Sequence, residues 1–537
     1  MPMRYAFIVE NDIKMISEIA EAIWIADPAI SIRVFTQIDP FSEWVKNLIR
    51  QGPTALANAG VPVDDILKGY KIDVDLEAAK NSGKSIKSLR KETDQCLVLV
   101  VAKAEFLGNR QLELLKKTEE IFVKKGISTD EDPTALIVTA FDEPNFRIKT
   151  YEDKVISNVI YKPFDRLILI QNIANAIAGH HLVKDNVVHL QKTKAMIEML
   201  KDVTMESISE LGFTSVSDRE LTVGSSSKYY ANIFIGSKTR SVTAVVRKCE
   251  AHPENPQLFL TTLDFFGLEI EQISNIRKLL KDKIKTNRKK NETIVEPARD
   301  HHFVFVEADE QFTPDIFASF ERRFERIFIQ KFKDLHTLIN EYKRQSFPID
   351  GIFFVGRCFE GKPGPLIDTL WGVIGSKIPV FHVSDVHVSD ADKKELASHF
   401  TDLFFIPYDK AHINSRMHVV YPQLGVKEEP MSLSLVEFRH QLKAANPIEI
   451  TEVSEAGLVM KYYRPIPVGD FREFILWMPN EIDIPLIFGT NNFTEDDKNT
   501  KGNYFNHFVF FGMKDIYLKH IRVWIRDNYV HTKEKAS

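Results

Sequence analysis

The sequence predicts two parallel α/β modules alternating with two antiparallel β modules along one chain. Three observations predict it. First, phrases recur at one fixed spacing. Phe265-Phe266-Gly267 returns as Phe510-Phe511-Gly512, Ile276-Arg277 as Ile521-Arg522, and Val223-Gly224 as Val468-Gly469, each 245 positions on. Ser209 and Gly212 return as Ser454 and Gly457 at the same shift. A single shift held over so many residues marks one unit present twice. Second, the early part of each copy reads as short apolar runs alternating with helical spacing, the pattern of a parallel sheet covered on both faces. Third, the later part reads as short strand-like segments punctuated by Ser, Gly, Asp and Asn, an antiparallel, barrel-like pattern.

The first α/β module opens with the apolar run Tyr5–Val9, which ends in Glu10-Asn11-Asp12. Ile16, Ile19, Ala20 and Ile23 follow at helical spacing. Further strands are predicted at Ile30–Thr36, Leu97–Ala102, Leu136–Thr139 and Val159–Tyr161, and a closing helix at Leu167–Ile177. In such sheets, ligands and chemistry sit beyond the carboxyl ends of the strands. From Val203 onward strands are predicted at Gly212–Ser217, Tyr229–Ile235, Ser241–Lys248 and Leu258–Phe266, with a helix at Ile273–Lys281. The basic run Lys281–Lys290 and the polar stretch to Asp300 read as a solvated linker.

The second copy opens with Phe303–Val306 and then Glu307-Ala308-Asp309, matching Glu10-Asn11-Asp12 at a shift of 297. Thr139 and Ser384 are already back at 245, so copy one carries about 52 extra residues between Glu10 and Thr139. Gly52–Asp94, charged and without a clear period, is the expected insertion, decorating the sheet without breaking it. The predicted modules are residues 1–182, 183–285, 300–415 and 416–530.

Composition narrows the function classes. Over 537 residues, 44% hydrophobic and 27% charged content is that of a globular protein with sizeable cores. A net charge of −5 gives no overall attraction to nucleic acid. Three scattered cysteines, Cys96, Cys249 and Cys358, fit a reducing compartment better than a disulfide framework. The apolar runs fall short of a membrane span and the start has no signal-peptide layout, so the cytoplasm is the expected location. Gly83-Lys84-Ser85 lacks the glycine and the strand that a phosphate-binding loop needs. Asp300-His301-His302 has no partner residues at metal-ligand spacing and reads as a solvated strand entry.

Glu10-Asn11-Asp12, Thr139-Ala140 and Lys162-Pro163-Phe164, each at a predicted strand end, resemble the receiver domain of bacterial response regulators. The resemblance implies a flavodoxin-like fold and a pocket in which acidic groups hold magnesium and an aspartate ending the third strand takes phosphoryl. It also implies a hydroxyl and a lysine that stabilise the phosphate oxygens. Here the third strand ends Val101-Ala102-Lys103, with Glu105 the nearest carboxylate, and Asn11 replaces one acidic residue. Lys162 is therefore expected to pair with Glu10 or Asp12 and fix one conformation. In copy two the third strand ends in Gly356-Arg357, and Ile406 stands at the lysine position in Ile406-Pro407-Tyr408-Asp409. Glu307, Asp309 and Ser384 remain there.

Ser207-Ile208-Ser209-Glu210-Leu211-Gly212 and Glu452-Val453-Ser454-Glu455-Ala456-Gly457 resemble the Asp/Asn-x-Ser-x-x-Gly motif of PilZ domains, bacterial receptors for cyclic di-GMP. The resemblance implies a β-barrel whose second motif, Arg-x-x-x-Arg, clamps the nucleotide phosphates. His189–Val203 contains no arginine, and Arg439 in Arg439-His440-Gln441-Leu442-Lys443 is the closest remnant. Two readings stand for Ser209, Gly212, Ser454 and Gly457: turn residues leading into a strand, or surviving nucleotide contacts.

The resulting expectation is a tandem of degenerate receiver-like and PilZ-like modules, a non-enzymatic bacterial signalling or scaffold protein. Catalytic residues, cofactors and metals are all expected to be none. The expected partners are proteins of a signalling or motility pathway, with internal pairing of the two copies or a homo-oligomer, and neither nucleic acid nor membrane insertion. The alternative is a cyclic di-GMP effector with a non-standard site, controlling motility or surface behaviour.

Overall fold

A computed structural model of the chain describes residues 3–51, 56, 58–69, 95–106, 124, 134–141, 156–178, 188–189, 197–237, 239–284, 299–308, 313–356, 363–388, 390–424, 435–445, 448–476 and 486–536. Gly83-Lys84-Ser85, Arg357, Cys358, Asp309 and most of the 52–94 insertion lie outside them. The described residues form two compact units. One comprises those within 1–199 and 448–537 apart from a few loop positions, the other essentially those within 200–447.

In the first unit the strands Met3–Val9, Ser31–Phe35, Gln95–Lys103, Ala135–Phe141 and Asn158–Lys162 are all parallel, in the spatial order two-one-three-four-five. This is the receiver-like, flavodoxin-type order. Alternation along each strand splits the core in two. Ala6, Ile8, Val101 and Ile160 face the helices Ile13–Ala26 and Arg166–Ala178. Tyr5, Phe7 and Val100 face the helix Ile38–Gln51, where Phe41 and Val45 pack. Within the insertion, Val61–Pro62 adds a short antiparallel strand on Arg33 and Val34, followed by the helical turn Val63–Ile66. The addition lies at the sheet edge, outside the second parallel strand.

In the second unit the strands His301–Val306, Ile327–Phe332, Gly351–Val355, Val380–Ser384 and Asp402–Phe405 repeat the parallel two-one-three-four-five order. Phenylalanine dominates here. Phe303, Phe305, Phe353 and Phe381 line one face beneath the helices Thr313–Arg323 and Lys410–Val420. Leu335, Leu338, Ile367 and Leu370, from helices Leu335–Arg344 and Pro363–Ile374, cover the other.

The antiparallel strands are large sheets made from both copies. In the second unit, residues 200–208 pair with Gly212–Ser217, which pairs with Phe259–Phe266, then Ser241–Ala251, then Ser226–Tyr230. Val436–Ala445, from copy two, pairs with Ser226–Tyr230 on one side and with residues 200–208 on the other, closing the ring. In the first unit, Glu449–Val453, Gly457–Tyr462, Tyr504–Phe511, Leu486–Asp496 and Phe471–Leu476 follow the matching order. There Leu476, Ile475 and Phe474 pair with Ile197, Glu198 and Met199, from copy one. The exchange is reciprocal to the residue: Phe474↔Met199 in one unit matches Tyr229↔Ala444 in the other.

Two sequence expectations change. The antiparallel strands begin before the change of pattern expected at Val203, with Ile197–Ile208, a strand not expected from the sequence and whose first residues pair with copy two. The strand predicted over Tyr229–Ile235 ends at Tyr230, and Asn232–Phe234 form a 3-10 turn. That turn drops Phe234 into the core against Phe213 and Phe265, which an extended strand would not do. Among the described residues no helix is long and apolar enough to cross a membrane.

Candidate functional site

The strand ends of the first parallel sheet gather Glu10, Lys103, Thr139 and Lys162. Lys162 Nζ donates to Glu10 Oε2 at 2.6 Å, with 3% and 1% of the two side chains exposed. The other carboxylate oxygen accepts from the backbone N–H groups of Asn11 and Asp12, at 2.9 and 3.1 Å. Both oxygens are therefore occupied, which is what a buried carboxylate requires. Phe141 lies over the Lys162 ammonium, its ring centroid 5.4 Å away. Asp12 is turned to other work: it caps the helix Ile13–Ala26, accepting from the N–H groups of Lys14 and Met15. Lys103, where the third strand ends, donates to Asn11 Oδ1 at 3.3 Å and pairs with Glu105. Thr139 is fully buried, and its hydroxyl has no hydrogen-bond partner among the described residues.

A divalent cation does not fit this donor set. Glu10 is already neutralised by one ammonium, a second ammonium, that of Lys103, stands where the third strand ends, and Asp12 serves as a helix cap. Among the described residues no cluster of three or more His, Cys, Asp or Glu has metal-binding geometry.

The second pocket is built differently. With Ile406 at the lysine position, no ammonium reaches inward from that strand end. The following residues turn outward instead, Tyr408 hydroxyl donating to Asp315 at 2.9 Å and Lys410 pairing with the same carboxylate. Ser384 Oγ donates to Val386 O at 2.8 Å and accepts from its N–H at 3.2 Å, closing a local turn. Glu307 is buried after the first strand, and Asp309 lies outside the described residues. Both Lys162-Pro163 and Ile406-Pro407 are cis. At the opposite end of the same sheet, Asp300 pairs with Arg326, while His301 is buried beside Asp350 rather than solvated.

The Ser-x-x-Gly motifs serve the β strands. Ser209 Oγ accepts from Gly212 N at 3.1 Å, and Ser454 Oγ accepts from Gly457 N at 3.1 Å. A Cβ on Gly212 would lie 2.1 Å from Leu263 O, and one on Gly457 would lie 1.9 Å from Phe508 O. Only glycine permits these neighbouring strands to approach so closely. Arg439 sits on the exchanged strand Val436–Ala445, 82% exposed and 3.6 Å from Glu206.

A site that sequence reasoning missed joins each parallel sheet to the β module of the opposite copy. In the second unit, Arg277 grips Glu210 through Nε and Nη2 at 2.9 and 2.6 Å. It also grips Asp409 through Nη1 and Nη2 at 2.6 and 2.8 Å. In the first unit, Arg522 donates to Glu455 at 2.6 Å and to Asp165 at 2.8 Å. Asp409 and Asp165 each also accept from the first turn of the helix that follows, binding His412 N and Ile168 N. The hydrogen bond from Arg522 holds the Asp165 carboxyl below its usual range. Burial pushes Glu210 up, but the His412 imidazole and the Arg277 guanidinium outweigh it and bring it down to about 2. Arg277, Glu210 and Asp409 all stood inside quoted phrases: Ile276-Arg277, Ser209-Glu210-Leu211-Gly212 and Ile406-Pro407-Tyr408-Asp409.

No protein-family model matches the sequence, and no curated protein matches it. Among solved structures, a Francisella response-regulator receiver domain matches at 14% identity, covering 23% of this chain and 98% of that one, with a TM-score of 0.20. A two-component response regulator from Clostridium difficile matches at 15% identity over 23% and 97% of the two chains, with a TM-score of 0.20. A putative pilus assembly-related protein from Burkholderia pseudomallei matches at 10% identity over 26% and 100%, with a TM-score of 0.21. These neighbours are short beside the chain and similar only to a part of it.

Proposed function

We propose that the chain is a non-enzymatic, cytoplasmic bacterial signalling or scaffold protein that works through protein–protein contacts. Its α/β modules are degenerate receivers and its β modules are PilZ-like barrels. One observation carries the reading: the Lys162 ammonium occupies Glu10, the carboxylate a phosphoryl-transfer pocket would keep for its metal. Phosphoryl transfer to a carboxylate needs a free acidic nucleophile and charge neutralisation of the incoming phosphate. Lys103 supplies neither a nucleophilic carboxylate nor a metal ligand at the critical strand end. Incubation of the full chain with acetyl phosphate and magnesium tests this. Intact-mass spectra unchanged from the untreated protein are expected, and a stable +80 Da species would overturn the reading.

A second reading is favoured by one feature, the exposed Arg439 on the strand that closes the six-membered ring. It makes the chain a cyclic di-GMP effector with a non-standard site. Calorimetry with the nucleotide discriminates the two. No heat of binding is expected; micromolar binding lost in Arg439→Ala would favour the effector. Gly457→Asp is unsuited to this purpose, since its side chain would strike Phe508 O before any ligand was involved.

A further inference from the structure

Beside the shared arginine clamp, each unit holds a second contact whose chemistry differs between the two. It starts from one common element. Gly267 and Gly512 end the Phe-Phe-Gly strands with positive φ, 64° and 58°. Each points its N–H at the residue opening the fifth parallel strand. Gly267 N donates to Asp402 Oδ1 at 3.1 Å, and Gly512 N donates to Asn158 Oδ1 at 3.1 Å. That oxygen also accepts from the next residue's N–H in both units, Leu403 and Val159. Beyond this point the two part company.

In the second unit Arg416, fully buried, donates to Asp402 Oδ2 at 2.6 Å and to Asp264 Oδ2 at 2.9 Å. Its remaining donors reach Phe265 O at 2.6 Å and Leu211 O at 3.3 Å. Asp264 keeps a further partner in Arg247 at 2.8 Å. In the first unit the corresponding positions are neutral. Asn158 bonds Asn172 and donates to Phe510 O at 3.0 Å, and Asn172 donates to Ile168 O at 2.9 Å. Val509, buried, stands in the register position of Asp264: it pairs with Gly457 as Asp264 pairs with Gly212.

We infer that this patch is the partner-selecting surface of the protein, matching each α/β module to the β module of the opposite copy. Asp402 and Arg416 fit the module bearing Asp264; Asn158 and Asn172 fit the one bearing Val509. Seated on the Val509 module, Arg416 would lose the acceptor for one guanidinium nitrogen in a dry site. Seated on the Asp264 module, Asn172 would leave that carboxylate without its buried cation. Buried charge that loses a partner is penalised more heavily than a matched pair is favoured, so the patch acts chiefly by rejecting the wrong module. The arginine clamp, identical in residue type in both units, cannot discriminate. It supplies affinity, and the patch supplies identity.

The test is a mismatch and its repair in the full-length chain, read by thermal unfolding. Asn158→Asp with Asn172→Arg puts the charged set on the α/β module alone, and Val509→Asp puts a carboxylate on the β module alone, at the register position of Asp264. Each is expected to lower the first unit's Tm by several degrees. The triple variant carrying all three changes is expected to recover most of that loss. Should the mismatched chains fail to fold, the triple variant's yield of folded protein decides the matter. Additive losses in the triple variant, or mismatches that leave Tm unchanged, would overturn the proposal. As a conservative check in the second unit, Asp264→Val with Asp402→Asn and Arg416→Asn should be better folded than Asp264→Val alone.

Discussion

The strand-end pockets and the arginine clamps have fared differently since the two copies arose. In the pockets Lys162 corresponds to Ile406, the Lys162–Glu10 pair is replaced by an outward Tyr408–Asp315–Lys410 group, and Thr139 becomes a serine bonded to its own loop. In the clamps Arg277, Glu210 and Asp409 answer to Arg522, Glu455 and Asp165 without one change of residue type. Pocket chemistry has been free to drift, and so has the patch beside the clamp, while the clamp itself has not. The part of the α/β–β joint under common constraint is the arginine clamp.

That contrast can be broken or sharpened by substitution. The largest effect is expected in the first pocket. Lys162→Met leaves Glu10 buried without its cation and should cost about 3–5 kcal/mol in denaturant unfolding. Adding Glu10→Gln should restore most of it, since a matched neutral pair carries no desolvated charge. A loss that persists in the double variant would mean the pocket is held by something other than this pair.

Next in size is the acid response of the second clamp. A carboxyl depressed on folding contributes stability above its unfolded value and loses it as the pH falls through its folded value. For Glu210, lowered from 4.5 to about 2, the contribution is complete above about pH 5 and is lost towards pH 2. It is on the order of 3 kcal/mol. Glu210→Gln should flatten this part of the stability–pH curve.

The clamps themselves should then differ in strength. Arg277 is 18% exposed against a Glu210 that is 4% exposed, whereas Arg522 is 30% exposed against a Glu455 at 17%. Arg277→Ala is expected to cost about 2–3 kcal/mol and Arg522→Ala about 1 kcal/mol, by the strength of charge-assisted hydrogen bonds and its decline with exposure. Equal losses would remove this asymmetry. Smallest is Thr139→Val. Its hydroxyl makes no hydrogen bond among the described residues, so an isosteric apolar replacement should change stability by less than about 1 kcal/mol in either direction.

The repeat made much of the fold legible. The 245-residue shift pointed to two copies, and the apolar runs placed the parallel strands to within a residue or two, because a strand buried on both faces must be apolar throughout. The Ser-x-x-Gly motifs were open to two readings, turn residues or nucleotide contacts, and local pattern did not choose between them. What could not be read was which copy's β module lies against which sheet. Both carry the same Phe-Phe-Gly and Ile-Arg signals, so periodicity treats them alike. The exchange of Ile197–Met199 and Val436–Ala445 depends on pairings hundreds of residues apart, which no local pattern encodes. Nothing in the local sequence marks Arg416, and only its burial against Asp402 and Asp264 gives it meaning.

The shared strand has a practical consequence for anyone wishing to shorten this protein. Ile197–Ile208 supplies hydrogen bonds to strands of both copies, and Val436–Ala445 seals the ring built mainly from the first. Expressing either repeat on its own would remove a stave that its own sheet lacks. The bare edge left behind is the kind that recruits another chain, so such fragments should self-associate or precipitate. The smallest dependable working length of this molecule is both repeats together.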